Sequence, residues 1–408
     1  MVAKARDFEP ELLRRLKDAR PRRDFNFLIV DLEFWHDFVL TPPSSPRACV
    51  AGKTAGIHNV RGKVSVFSGF PSLVFAKRRF AYHGNDSCET VCGQGFIYPF
   101  YKLLQRVYML RMSDFTPNIL IENGWQDYAL LDSGNGRKLE QFGPVRVSRP
   151  EPQALWEKSL HDAEWKKADA TFTNASEKEE DDKGSWQQHR KLPETWPVAV
   201  EGVNMVCRLM TYRHMGLFPE QRPHWQWFSN LIKTSKKPFK VLNLFGYTGA
   251  ASLIAAKAGA EVTHVDASKK AIGWSKENQE ASGLSESKIR WICDDAAKFV
   301  AREGRRGNKY DGILLDPPRY GRGPEGEVWK FETDVGPLLS ACADLLSDDA
   351  KFMILTAYTM RLSSLTLDHM MRDALKGRAG STDHGELLLA DKGGNRPLAT
   401  SMFARWGA

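Results

Sequence analysis

The sequence predicts an α/β protein in which residues 211–408 form a parallel, seven-stranded sheet wrapped by helices. Three observations carry that expectation. After about residue 215, apolar runs of strand length alternate with helical patterns. A glycine-containing loop joins one apolar run to an Ala-rich helix, and acidic residues stand at the ends of several later runs.

Before that region the chain reads as two segments. Residues 1–116 are basic and without a sustained period. Phe8 to Leu16 suits a short amphipathic helix and Phe27 to Val30 a short strand, while 41–85 is rich in Pro, Gly, Ser and cations. This stretch is expected to be partly disordered. Residues 117–210 read as a small β-rich module. Tyr128 to Phe142 is a hairpin about a Gly134-Asn135-Gly136 turn, and Val145 to Val147 is a third strand closed by Pro150 and Pro152. The polar run 173–190 is expected to be a solvated loop, and Trp196 to Leu209 gives two more strands. The sheet strands then fall at 240–245, 261–265, 289–292, 311–315, 351–356, 386–390 and 399–405. Helices fill 249–258, 268–282, 295–303, 328–346 and 362–375.

A chain of 408 residues that is 42% hydrophobic can build more than one core. No apolar run is long enough to span a bilayer, and the acids among the first thirty residues argue against a signal or matrix-targeting peptide. The expected compartment is the cytoplasm, with the mitochondrion as the alternative in a eukaryote. Only two of the six cysteines, Cys88 and Cys92, lie close together, and no zinc-type spacing follows; free thiols and no metal are expected. The net charge of +8 is unevenly spread. Residues 1–116 hold 18 of the 58 Lys and Arg but 11 of the 50 Asp and Glu, so the remainder is nearly neutral. Net charge is therefore weak support for a nucleic-acid partner.

Four motifs carry chemistry. Val241-Leu242-Asn243-Leu244-Phe245-Gly246-Tyr247-Thr248-Gly249 runs from a strand into a helix. Its glycines permit close backbone approach, and the helix N-terminus offers free N–H groups. A dinucleotide site needs Gly-x-Gly-x-x-Gly, which Thr248 breaks. Asp266 follows about twenty residues later, placed to accept ribose hydroxyls or to cap the next helix. Asp294, beside the alternative cap Asp295, can accept an adenine amino group, and Asn278 sits on the intervening helix. Asp316-Pro317-Pro318-Arg319-Tyr320 closes an apolar strand. The prolines stiffen the loop, Asp316 offers an acceptor to a planar base, and Tyr320 can stack on it. Methyl transfer from a sulfonium needs alignment more than acid–base groups, so the scattered His214, His224, His264 and His369 read as structural.

Together with Gly216 to Gln221, Trp225 and Gly283-Leu284, these motifs resemble a known family. The region from residue 118 onward is similar to class I S-adenosyl-L-methionine (SAM)-dependent methyltransferases related to bacterial 23S rRNA large-subunit enzymes, in the cytosine-C5 and guanine-N7 branches. The resemblance implies a Rossmann-like seven-stranded sheet. It implies SAM bound by Asn243, Phe245, Gly246, Tyr247, Thr248, Gly249, Asp266, Asn278 and Asp294, with Gln221 nearby. It also makes RNA, and rRNA in particular, the expected substrate. The C5 branch needs a cysteine nucleophile, and neither Arg319 to Arg322 nor Leu355 to Ser363 contains one. Methylation at a base nitrogen is therefore expected, with Asp316, Pro317, Pro318 and Tyr320 positioning the target. The alternatives are a protein or small-molecule methyltransferase, or a non-catalytic SAM-binding module. Oligomeric state is not legible.

Overall fold

The computed structural model describes residues 116–175, 183–358, 360–393 and 396–408. The expectations for residues 1–115, and for the charge run at 176–182, lie outside the described residues.

The first described strand, β1 (Asn118–Glu122), precedes four strands and a short helix: β2 (Tyr128–Gly134), β3 (Arg137–Phe142), β4 (Val145–Pro150), α1 (Asp162–Trp165) and β5 (Ala170–Asn174). With β6 (Gly184–Gln188), strands β2 to β5 make a five-stranded sheet in chain order. The β2–β3 turn works because Asn135 and Gly136 both take positive φ, 53° and 72°, as a two-residue hairpin turn requires. A second hairpin follows, β7 (Trp196–Val200) and β8 (Val203–Cys207).

A 3-10 turn at Pro219–Gln221 leads into α2 (Arg222–Thr234). Then come β9 (Phe239–Leu244), α3 (Ala250–Lys257), β10 (Ala260–Asp266), α4 (Lys269–Ala281), β11 (Ile289–Cys293), α5 (Ala296–Arg306) and β12 (Gly312–Leu315). A two-stranded ribbon, β13 (Tyr320–Arg322) and β14 (Val328–Lys330), precedes α6 (Phe331–Leu345). The chain finishes with β15 (Phe352–Tyr358), α7 (Ser364–Ala374), β16 (Ser381–Leu389) and β17 (Leu398–Gly407).

The large sheet has the order β1-β16-β17-β15-β12-β9-β10-β11. Strands β9, β10, β11, β12 and β15 run parallel, whereas β17 is antiparallel to both neighbours. From β9 the chain first proceeds outward through β10 and β11, then returns to place β12 on the other side of β9. That reversal opens a crevice at the C-terminal ends of β9 and β12, where ligands bind in open α/β sheets.

All seven expected strands are present, and each expected helix between them is present within a few residues. Five features differ from the sequence reading. The last strand, β17, is antiparallel where a parallel sheet is expected, because it returns directly from β16 without a crossover helix. Strand β1 pairs in parallel with β16 and so adds an eighth strand to the large sheet. Helix α2 was not anticipated, although Trp225, Phe228 and Ile232 give it a buried stripe; the crowding of aromatics hid the period. The ribbon occupies 328–330, so α6 starts at Phe331. Within the expected loop, Gly184–Gln188 pairs with β5, because Trp186 packs on Phe172.

One apolar cluster is continuous from the small sheet and second hairpin (Tyr128, Phe142, Val145, Val198) to α2, α3 and one face of the large sheet. A second cluster lies under α5, α6 and α7 on the opposite face. A buried ionic group stiffens the first region. Arg149 grips Glu140 with two bonds of 2.5 and 2.9 Å, and Tyr128 donates to the same carboxylate at 2.9 Å. Arg149 also donates to the Arg213 carbonyl at 3.1 Å, tying the small sheet to the segment leading to the crevice.

Candidate active site

The crevice is a cavity bounded by the loop after β9, the end of β12 and the turn before α2. Asn243, Phe245, Gly246, Tyr247 and Thr248 form one wall, Gln221 and His224 another, and Asp316 closes it.

The loop's shape comes from an unexpected division of labour. Phe245 and Tyr247 take the left-handed conformation, with φ of 56° and 50°, while Gly246 does not. Gly246 is needed for space behind the loop, since a Cβ there would lie 2.4 Å from the His264 ring. The sequence reading assigned that close approach to a ligand; the neighbour is protein. Behind it runs a buried chain of polar contacts, Asn243 Nδ2 to Ser252 Oγ at 2.9 Å and Ser252 Oγ to His264 Nδ1 at 2.9 Å. Burial holds the His264 imidazole neutral, with its pKa down to about 3.

Asp266 holds the front of the loop. Its carboxylate accepts the Tyr247 N–H at 2.9 Å and the Ser268 N–H at 2.8 Å. The cap of α4 is Ser268, which accepts from Ala271, so Asp266 is not the capping residue. Burial raises the pKa of Asp266 and these two donors oppose it. Asp295 is the cap of α5. Asp294, adjacent to Asp266 through a 3.1 Å backbone bond, pairs with Arg302. Gly249 starts α3 with φ 86°, and no side chain caps that helix. Its first N–H groups therefore remain open to an anionic or polar ligand.

Asp316 is the site's most unusual group. Gln221 Nε2 donates to its Oδ2 at 3.3 Å, but Oδ1 is shut off from solvent with no partner. Burial, then the charge of buried Glu220, holds the Asp316 carboxyl well above its ordinary pKa, while Gln221 opposes. Gln221 is itself fixed at both ends. Its amide also donates to the Tyr358 hydroxyl at 2.9 Å, and its carbonyl accepts from Thr356 at 3.4 Å.

Seven residues expected at the site line this cavity: Gln221, Asn243, Phe245, Gly246, Tyr247, Thr248 and Asp316. Others stand behind or beside it. Asn278 is fully buried and spends its amide on backbone, accepting from Val206 at 2.7 Å and donating to the Thr248 carbonyl at 2.9 Å. It therefore positions the loop instead of facing a ligand. Tyr320 is 54% exposed on the ribbon and is absent from the cavity lining, because the chain turns outward after Pro317 and Pro318. Glu220, Tyr358 and Thr356 are not among the expected site residues; the last two are the polar residues at the end of the apolar strand β15, which was a usable signal. His224, expected to be structural, lines the cavity with both ring nitrogens unpartnered.

A switch point in the parallel part of the sheet, a helix N-terminus without a side-chain cap and an acid ending the next strand form an α/β crevice suited to a nucleoside-type ligand. Comparison with known proteins gives the class. Residues 222–325 match a family model described as conserved hypothetical protein 95. The crystal structure of the SAM-dependent methyltransferase from Agrobacterium tumefaciens is 50% identical, with a TM-score of 0.69, over 72% of this chain and 94% of that one. Ribosomal RNA large subunit methyltransferase I of Aeromonas salmonicida is 36% identical over 135 residues, 32% of this chain and 33% of the relative. Ribosomal RNA large subunit methyltransferase K/L of Shewanella frigidimarina is 33% identical over 154 residues, 37% of this chain and 21% of the relative. The match thus spans a third or less of each of these two curated relatives.

The chain belongs to the SAM-dependent methyltransferases. It is an enzyme, and its cofactor is SAM. The open α3 N-terminus and the Asp266 carboxylate at the edge of the switch point suit that cofactor's carboxylate and ribose.

Proposed function

We propose that the enzyme methylates RNA, with an rRNA base as the target and a base nitrogen as the acceptor. The observation that carries this reading is the hidden, unpartnered Oδ1 of Asp316 at the cavity wall. A buried acceptor without a donor is costly, by about 1–3 kcal/mol, and an N–H of a planar base satisfies it. The curated relatives named as ribosomal RNA methyltransferases support RNA as the substrate class.

In this reading Asn243, Phe245, Gly246, Tyr247, Thr248 and Gly249 would hold SAM, with Asp266 placed for its ribose and Asp294 for its adenine. Bound SAM supplies a methyl group activated on a sulfonium. Asp316 accepts an N–H of the target base and turns the nitrogen lone pair toward the methyl carbon. The Asp316 carboxylate would take up the proton that an exocyclic nitrogen gives up on methylation. Gln221 keeps that carboxylate aimed, and Pro317 and Pro318 stiffen the loop carrying it. The target base reaches Asp316 only when unpaired or flipped.

Cysteine-dependent C5 chemistry is less well supported. None of the described cysteines lines the cavity, and burial pushes the Cys207 thiol up to about 12. The test is incubation with labelled SAM and ribosomal RNA, followed by ribonuclease and nucleoside mass spectrometry. An N-methylated nucleoside is expected. Recovery of 5-methylcytidine, or label that resists ribonuclease, would overturn the proposal.

A further inference from the structure

The ribbon β13–β14 is a built surface beside the cavity that the reaction itself does not use. Its inner side is anchored. Trp329 is buried, donates from Nε1 to the Pro318 carbonyl at 2.7 Å, and packs on Phe245 with ring centroids 5.0 Å apart. Phe245 is part of the cavity wall, and Pro318 lies two residues from Asp316. The Phe331 N–H closes the base of the ribbon on the Arg319 carbonyl at 2.9 Å.

The outer side is open. The antiparallel register sets Tyr320 opposite Lys330 and Arg322 opposite Val328. Directly opposed residues share a face, so these four side chains form one checkerboard of ring, aliphatic and cation. Tyr320 and Val328 are 54% and 52% exposed, and Arg322 and Lys330 are exposed as well. Neither of those cations has an ion pair among the described residues. The neighbouring acids are already engaged: Glu325 and Glu327 both hold Lys298, and Glu332 pairs with Arg319. The Asp334 carboxylate accepts the backbone N–H of Lys330 at 2.7 Å. The outer face thus presents two cations without an ion-pair partner among the described residues on either side of an exposed ring, while the acids at the ribbon's edges balance the local charge.

We propose that this ribbon is the docking platform for a single-stranded stretch of RNA flanking the target nucleotide. This rests on reading the Asp316 site as an RNA-methylating one. Tyr320 stacks a neighbouring base, while Arg322 and Lys330 contact phosphates. An aromatic face tolerates any base, and the two cations supply sequence-independent attraction. Because Trp329 locks the ribbon to Pro318, a base seated on Tyr320 fixes the distance from the strand to Asp316. Tyr320 thus acts beside the target and not upon it.

The test uses the full chain with a fluorescent, unstructured RNA oligonucleotide and a duplex RNA of the same length. SAM affinity is measured in parallel by calorimetry. The wild type is expected to prefer the single strand. Tyr320→Ala should weaken single-strand binding about tenfold or more, and Tyr320→Phe should restore it. Arg322→Ala with Lys330→Ala should reduce the salt dependence of binding by about 0.7 per cation removed, while leaving SAM affinity unchanged. If the wild type methylates RNA but these variants bind it unchanged, the ribbon proposal fails and the substrate reading stands. Wild-type protein that binds SAM but no RNA, or that methylates only protein, defeats both.

Discussion

Asp316 and Glu220 are two acids set against one partly hidden wall, and the charge of Glu220 helps to raise the Asp316 pKa. Since Asp316 accepts a base N–H as its ionised form, activity should rise with pH through that raised value, above the ordinary carboxylate range. Replacing Glu220 by Gln removes the opposing charge, so the ascending limb of kcat/KM should move to lower pH. A limb that stays in place would separate the two acids. Asp316→Asn keeps the volume but loses the carboxylate; turnover should fall about 10²-fold or more, with SAM affinity retained. Gln221→Ala releases the same carboxylate from its holder. A loss of about 10²-fold in kcat, with little change in KM for SAM, is the mark of lost aim. Asp316 was legible as an acid ending an apolar run. Its holder was legible only as a residue near the cofactor, because the contact joins positions 221 and 316.

The strand–loop–helix unit at 239–257 shows what local sequence conveys. Its apolar run, Ala-rich helix and Gly249 start were readable, because each depends on neighbours in the chain. The purpose of Gly246 was not, since the ring it accommodates comes from His264 on the adjoining strand. Gly246→Ala should therefore lower stability by about 1–3 kcal/mol, by forcing the loop and imidazole apart. Adding His264→Ala should cost less than the two separate losses together, since it opens the space that the new methyl group needs. Thermal melts of the two single variants and the double variant decide this, and strictly additive losses would exclude the contact. The same limit explains Asn278, whose helix was read correctly while its two backbone partners, on β8 and in the loop, were not.

At the scale of the whole molecule, the small sheet and the catalytic sheet share one apolar cluster, and the Glu140–Arg149 pair stiffens the small sheet from within. The sheet itself was legible strand by strand because parallel strands buried on both faces read as continuous apolar runs. The addition of β1 was not, because Ile119-Leu120-Ile121 is a short run whose partner strand, β16, lies about 270 residues further along the chain. Arg149→Ala would leave Glu140 charged and buried, and should destabilise the protein by about 3–5 kcal/mol. The pair also sets an acid sensitivity. Despite burial, Arg149 and Lys138 hold the Glu140 pKa at about 2, below its usual 4.5. A depressed carboxylate contributes its stability above the unfolded pKa and loses it as pH falls toward the folded one. Melting temperature should thus drop between about pH 4.5 and 2 in the wild type. That drop should be smaller in a Glu140→Gln, Arg149→Met double variant, and equal slopes would place the acid-labile contact elsewhere.

The pairing of β1 with β16 also has a consequence in time. Asn118 meets Gly385, a partner about 270 residues further along the chain. At synthesis rates of about 5–20 residues per second, the first described strand waits roughly 15 to 50 seconds for that partner to be made. The crevice strands β9, β10 and β12 are complete well before then. The reaction chamber can therefore assemble on the ribosome while the border of its sheet is still unfinished, and β1 seals that border only afterwards. A nascent chain arrested after α7 and before β16, with α7 clear of the ribosome, should accordingly protect Val241 and Leu242 from proteolysis while leaving 118–122 open to it.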